Sequence, residues 1–182
     1  MKKATIAKTT SLAVSLGALL CLGLPSNAQA GDYRLRSGSF QVGGSLGFTA
    51  SIADQTAFAL GAEFAYYITD AISIRPRFSF NFDNDFFLFL AMADARYTFD
   101  IKNPKVERLK PFVGLGVGAG VIDADGPDNT DAAFVFGLPT GVEYFITQGF
   151  SLGTEFDFLF PVGFGDDHFF FQWQVVTARY LF

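Results

Sequence analysis

Cysteine, histidine and tryptophan each occur once in these 182 residues, and methionine twice. The lone Cys21 sits in the apolar N-terminal stretch, so the rest of the chain has neither a disulfide framework nor a cysteine cluster for metal or redox chemistry. The lone His168 lies beside Asp166 and Asp167 and is followed by Phe169 and Phe170, with no serine nearby. No nucleophile motif, metal-ligand spacing or phosphate-cradling loop occurs elsewhere, so neither an enzyme nor a cofactor is expected. Basic residues are scarce, 13 Lys+Arg against 18 Asp+Glu, which argues against nucleic acid or any other polyanion as a partner. The helical period is hard to find after Ala30. No later apolar run is long and helical enough to span, which excludes a helical inner-membrane protein.

The N-terminus reads as an export signal. Lys2, Lys3 and Lys8 precede an apolar stretch from Ser11 to Leu24, Pro25 breaks it, and Ala28-Gln29-Ala30 supplies the small residues of a cleavage site. Residues 1–30 are therefore expected to be a cleaved secretory signal peptide, and residues 31–182 one domain. A lipoprotein signal built on Cys21 would want a small residue before it, and Leu20 stands there. At the other end Ala178, Tyr180 and Phe182 fall on one face of a strand, with Thr177 and Arg179 on the other. An aromatic strand ending at Phe182 is a sticky edge in a soluble sheet and the sealing strand in a closed membrane barrel.

Phenylalanine (24) and glycine (19) are abundant, and a period of two runs through the chain. Phe40, Val42, Leu46 and Phe48 alternate with Gln41, Gly43, Ser45 and Gly47. Phe58 to Ile68 and Ile72 to Phe82 follow the same rule, the latter with Arg75 and Arg77 on its polar face. Phe86 to Phe99 is apolar on both faces before resolving into Asp94 and Arg96 against Ala93, Ala95 and Tyr97. Val113 to Val121 alternates with glycines. Phe134 to Tyr144, Leu152 to Phe160 and Phe169 to Phe182 complete eight strands. One face is small or charged and the other bulky and apolar, as suits a narrow lumen and a lipid exterior. Tyr66, Tyr67, Tyr97, Tyr144 and Tyr180 close the even-numbered strands, where one interfacial belt belongs. The fold expected is all-β: an eight-stranded antiparallel up-and-down transmembrane β-barrel. Parity at the top of the last strand stays open, because Gln172 and Gln174 share the face of Phe182. Pro76 and Pro139 each imply a bulge or a gap in pairing. Tyr67–Ile74 and Phe145–Leu152 form a short repeat 78 positions apart, from duplication or from one turn chemistry used twice.

The stretch from Lys110 to Gly118, the run Gly141-Val142-Glu143-Tyr144-Phe145-Ile146-Thr147 and the terminal Tyr-x-Phe resemble the small eight-stranded outer-membrane barrels of Gram-negative bacteria, the opacity-type, porin-like family. The resemblance implies a multi-pass protein of the outer membrane, with outer-membrane lipid and lipopolysaccharide as neighbours. It further implies that Tyr180 and Phe182 act as an assembly signal read by the barrel-assembly machinery. The family spans adhesins, resistance factors and narrow pores, so it leaves function and oligomeric state open. This chain departs from it in its short outer connections.

Three residue groups could carry function. Parity turns Glu63, Arg75, Arg77, Asp94, Arg96, Glu143, Glu155, Asp157 and Arg179 inward as an ion-pair network, with Arg77–Glu155 as the leading pair. That network reads as a structural plug or as a gated ion path. Asp123, Asp125, Asp128 and Asp131 crowd one outer loop, which is either a solvated loop or a weak Ca²⁺ site without EF-hand spacing. Phe86, Leu88, Leu90 and Met92 would line an apolar upper lumen, as core packing or as a pocket. Lys102, Lys105, Arg108 and Lys110 read as a solvated turn. The leading expectation is a non-enzymatic structural or surface-interaction barrel; the alternative is a narrow channel or a conduit for small hydrophobic molecules.

Overall fold

The computed structural model describes Tyr33 and residues 35–51, 56–83, 86–124, 130–163 and 169–182, all within the unit Gly31–Phe182. Eight strands follow one another: β1 (Phe40–Ser51), β2 (Thr56–Tyr67), β3 (Ile72–Phe82), β4 (Phe86–Thr98), β5 (Leu109–Ala124), β6 (Thr130–Phe145), β7 (Phe150–Val162) and β8 (Phe170–Leu181). Each pairs antiparallel with its sequence neighbours, and β8 pairs with β1, so the sheet is a closed barrel. Closure satisfies every strand edge, a requirement of backbone held in lipid.

Alternation sorts the side chains to the two faces. Along β3, Ser73, Arg75, Arg77, Ser79 and Asn81 are buried, while Ile72, Ile74, Phe78, Phe80 and Phe82 are exposed. The polar set lies inside and the apolar set outside, the inverse of a water-soluble fold. On the outer face of β7 and β8, Phe156, Trp173, Phe171 and Phe158 form a ladder of adjoining rings. The Trp173 indole N–H donates to Thr154 Oγ1 at 3.0 Å, which satisfies its polar atom at an apolar surface. Tyr66, Tyr97 and Tyr144 face outward near the end that carries the chain termini. Tyr67 does not join them: it is fully buried inside, because it stands one residue out of phase with Tyr66.

The open parity of β8 is resolved by a bulge. Between the pairs Leu46↔Val176 and Phe48↔Trp173, β1 advances two residues and β8 three; the β7 side shows the same shift between Gly153↔Thr177 and Glu155↔Gln174. The extra residue inverts the phase, so Gln172, Gln174, Thr177 and Arg179 all point inward. Gly47 faces this bulge. A Cβ there would lie 2.7 Å from the Gln174 Cα and would also meet the Trp173 carbonyl, so the close approach needs glycine.

The prolines give gaps rather than bulges. Pairing of β2 with β3 passes from Glu63↔Arg77 to Tyr66↔Ile74, skipping Pro76, with the register unchanged. Pairing of β5 with β6 likewise skips from Val113↔Thr140 to Gly116↔Gly137, around Pro139. Proline supplies no N–H, and the wall loses ladder bonds on that side alone.

The repeated octapeptide makes the same turn twice. Ile68 and Thr69 N–H groups donate to the Ile72 carbonyl, and Ile72 N–H donates to Thr69 Oγ1. Ile146, Thr147 and Phe150 reproduce all three bonds. Both turns lie at the terminal end of the barrel, and the repeated residues serve the same turn chemistry in each.

Candidate functional site

The lumen is built by the inward face of every strand. Midway along it, Arg75 on β3 reaches across to Glu155 on β7, four places away in the ring of eight. The contact is a two-pronged fork, Nη1–Oε2 and Nη2–Oε1 both at 2.6 Å. Arg75 also meets Asp94 on β4 at 2.7 Å and Glu63 on β2 at 2.9 Å. Arg179 on β8 meets Glu155 at 2.6 Å, Glu143 on β6 at 2.7 Å, and Glu63. Arg96 on β4 meets Glu143 at 3.0 Å and Gln41 on β1 at 3.2 Å, and donates to the Tyr67 hydroxyl. The β5 contribution is Phe112, whose ring lies 4.7 Å from the Arg96 guanidinium carbon, 5.5 Å from that of Arg179 and 6.0 Å from that of Arg75. All eight strands are thereby tied through one layer of side chains.

Glycine makes the layer possible. A Cβ at Gly116 would strike the Asp94 carboxylate, and one at Gly141 would lie 2.7 Å from the Phe112 ring. The glycine face of β5 is therefore room for the network.

The structure brings Glu63, Arg75, Arg77, Asp94, Arg96, Glu143, Glu155, Asp157 and Arg179 together in this layer. The expected Arg77–Glu155 pair is present, but as the longest of the Arg77 ion pairs. Arg77 lies 3.6 Å from Glu155, and its closer partners are Asp157 at 2.6 Å and Asp94 at 2.8 Å. The Arg75 fork occupies Glu155, so partners across the lumen are offset by 80 in sequence, not by the 78 of the repeat. Lys110 is a second correction. It belongs to β5, is buried, and pairs with Asp100, which is half-exposed at the mouth. The inward facing of Phe112 and Tyr67 was not expected; Gln41 was expected on the lumen face but not as a partner of the charge network. Carrying the glycine phase of β5 back by two steps, through Phe112 to Lys110, would have found two of the inward side chains.

Toward the end away from the termini the lumen has two unlike sides. Leu88, Leu90, Met92, Val135, Leu159 and Phe170 form an apolar cluster. Opposite it the Gln172 amide donates to Thr49, Ser79 and Asn81 at 2.7 to 2.9 Å. Leu88, Leu90 and Met92 thus share the lumen with core packing around them, while the Phe86 side chain lies outside the described residues. Asp123 and Asp131 sit at the rim on opposite faces of the β5–β6 ladder, since Asp131 pairs with inward Ile122 and Asp123 is one step out of phase. Asp125, Asp128, Asp166, Asp167 and His168, like residues 1–30, lie outside the described residues. Among the described residues no group of three His, Cys, Asp or Glu side chains could hold a metal.

The terminal end is covered by the segment preceding β1. Leu35 is buried against Tyr67 and Phe145, and Tyr33 lies under the Arg108 guanidinium at 4.5 Å. Ser37 fastens it, its N–H donating to Asp70 Oδ1 at 2.9 Å and its hydroxyl to the Ile68 carbonyl at 2.7 Å. Gly38 turns at a φ of 86° and donates to the Tyr67 carbonyl.

A closed eight-stranded ring with apolar side chains outward and charges inward is the form of a protein that crosses a membrane with strands. The family model for the outer membrane protein beta-barrel domain matches residues 16–169. The chain belongs to that family. Among solved structures it is similar to Neisserial surface protein A, with a TM-score of 0.62 at 20% identity, covering 80% of this chain and 96% of that one. It is also similar to the N-terminal barrel of Pseudomonas aeruginosa OprF, with a TM-score of 0.61 at 17% identity, covering 80% and 98%. OprG of the same organism gives 0.54 at 14%, covering 84% and 99%. Among curated proteins none matches in sequence. The barrel is thus an outer-membrane protein of the Gram-negative envelope, seated in the lipid bilayer. The even number of strands puts both chain termini and the 68–71 and 146–149 turns at one end of the barrel.

Removing one partner from a buried charge network leaves the others unpaired, at a cost of about 3–5 kcal/mol. Arg75→Ala is therefore expected to lose about that much stability, measured by urea unfolding of the barrel in lipid vesicles. Asp70→Ala, which removes one exposed hydrogen bond from the Ser37 N–H, is expected to lose about 1 kcal/mol or less. Equal losses would contradict the ranking.

Proposed function

We propose that this protein is a non-enzymatic barrel whose polar lumen is plugged, serving a structural or surface-interaction role in the outer membrane. One observation carries the reading: the Arg75–Glu155 fork spans the lumen at a level where Glu63, Asp94, Glu143, Arg96 and Arg179 fill the remaining section. A hydrated ion would have to break several charge-assisted bonds at once to pass. The apolar cluster above and the Leu35 segment below stand as two further obstructions in series. Absence of catalysis is part of the proposal, since the inward groups are spent on one another. On the same reading the outward Tyr180 and Phe182 are the signal for assembly into the membrane, and the exposed connections meet lipopolysaccharide or a surface partner.

The apolar cluster of Leu88, Leu90, Met92 and Leu159 supports a second reading, a conduit in which small hydrophobic molecules enter the extracellular half of the lumen and leave sideways. The packed state of that cluster favours the first.

Planar-bilayer recording of the refolded 31–182 barrel separates plug from channel. A silent wild type, with Glu155→Ala also silent or only briefly open, is the expected result. Steady discrete openings in the wild type, growing in Arg77→Ala or Glu155→Ala, would make the network a gate and overturn the plug.

A further inference from the structure

Between the apolar and polar sides of the lumen lies a cavity with room for about one water-sized molecule, bordered by Ser45, Gly61, Arg77, Ser79, Met92 and Gln174. Two of its bordering side chains are held by the same anchor. Arg77 Nη1 donates to Asp157 Oδ2 at 2.6 Å, and Gln174 Nε2 donates to that same oxygen at 3.0 Å. Arg77 Nε lies 2.8 Å from Asp94 Oδ2, and each residue still has a polar atom without a hydrogen-bond partner. Arg77 Nη2 has no acceptor and Gln174 Oε1 no donor among the described residues, and both residues are only 5% exposed. The amide orientation is not free to reverse, because turning it would set the Gln174 oxygen against the Asp157 carboxylate. Gln174 borders the cavity at all because the β8 bulge turns it inward.

Two residues that border one small space, one with an unpartnered buried donor and the other with an unpartnered buried acceptor, define its complement. An anion could accept from Arg77 but offers nothing to the Gln174 carbonyl oxygen, and it would sit beside Asp157. A cation could sit on that oxygen but would face a guanidinium. Water, unlike either ion, both accepts and donates, and buried water typically makes about three such bonds. Ser45, which also borders the space, carries a hydroxyl that can be a third partner. Gly61 and Ser45 keep the space open: a Cβ on Gly61 would run into the Ser45 hydroxyl.

We propose that this cavity is a binding site for one ordered water molecule, which accepts a hydrogen bond from Arg77 Nη2 and donates one to Gln174 Oε1. The site extends the charge layer toward the Gln172–Asn81 cluster, and it holds whichever role the barrel serves.

Water–protein cross-relaxation in the folded barrel, refolded in lipid nanodiscs with labelled arginine and glutamine, tests it. The expected result is a long-lived water signal to the Arg77 guanidinium and the Gln174 amide. That signal is lost in Gln174→Leu, while the peptide spectrum stays that of the folded barrel. If Gln174→Leu does not refold, Ser45→Val fills the space from the other side and is expected to show the same loss. A wild type with no such signal, or a folded variant that keeps it, would overturn the proposal. So would crystals grown in bromide with halide density in the cavity.

Discussion

The contact on which the rest of the barrel depends is the fork between Arg75 and Glu155, which joins two strands on opposite sides of the ring. Neighbouring strands are held by the backbone ladder, but nothing in a ladder fixes the shape of a barrel's cross-section. A side-chain tie across the diameter does. Around that tie Arg179 and Arg96 draw in β1, β2, β6 and β8, and Phe112 presents its ring to three guanidinium groups from β5. Four arginines and five carboxylates inside an apolar shell would be ruinous singly; together they offset one another's charge, and they constrain geometry more than they add net stability.

That arrangement explains the rest of the inward face. The glycines of β5 and β6 are small because the network and Phe112 occupy their space. The bulge in β8 lets one strand deliver Arg179 to the charge layer and Gln172 and Gln174 to the polar layer above it, which strict alternation over twelve residues could not do. Above and below, apolar groups seal the column: the Leu88–Leu159 cluster toward the end away from the termini, and Leu35 with Tyr67 and Phe145 at the terminal end.

Most of this was legible as alternation. Period two gave strand number, order and facing, because a wall one residue thick between lipid and a charged lumen leaves no side chain a third environment. What alternation could not reveal was anything depending on a change of phase or on height. The β8 inversion needs an extra residue that no local feature of Val175-Val176 announces. Arg77–Glu155 was expected from the repeat, yet pairing across the lumen follows strand tilt and stagger, which the repeat does not encode. Tyr67 reads as half of an interfacial tyrosine pair until its phase is counted, and Lys110 as part of a basic turn until β5 is extended to it. The segment over the terminal mouth left no periodic trace, since it is held by Ser37, Gly38 and Leu35 one contact at a time.

The central claim is that the diametric tie is coupled across the barrel. A double-mutant cycle on Arg75→Met and Glu155→Leu, read by reversible unfolding in lipid vesicles, measures that coupling directly. The account predicts a coupling of about 2–3 kcal/mol, at the upper end for residues in one network, with the double variant less destabilised than the sum of the singles. Strictly additive losses would mean that the two charges act independently, and that the cross-section is held by the ladder alone.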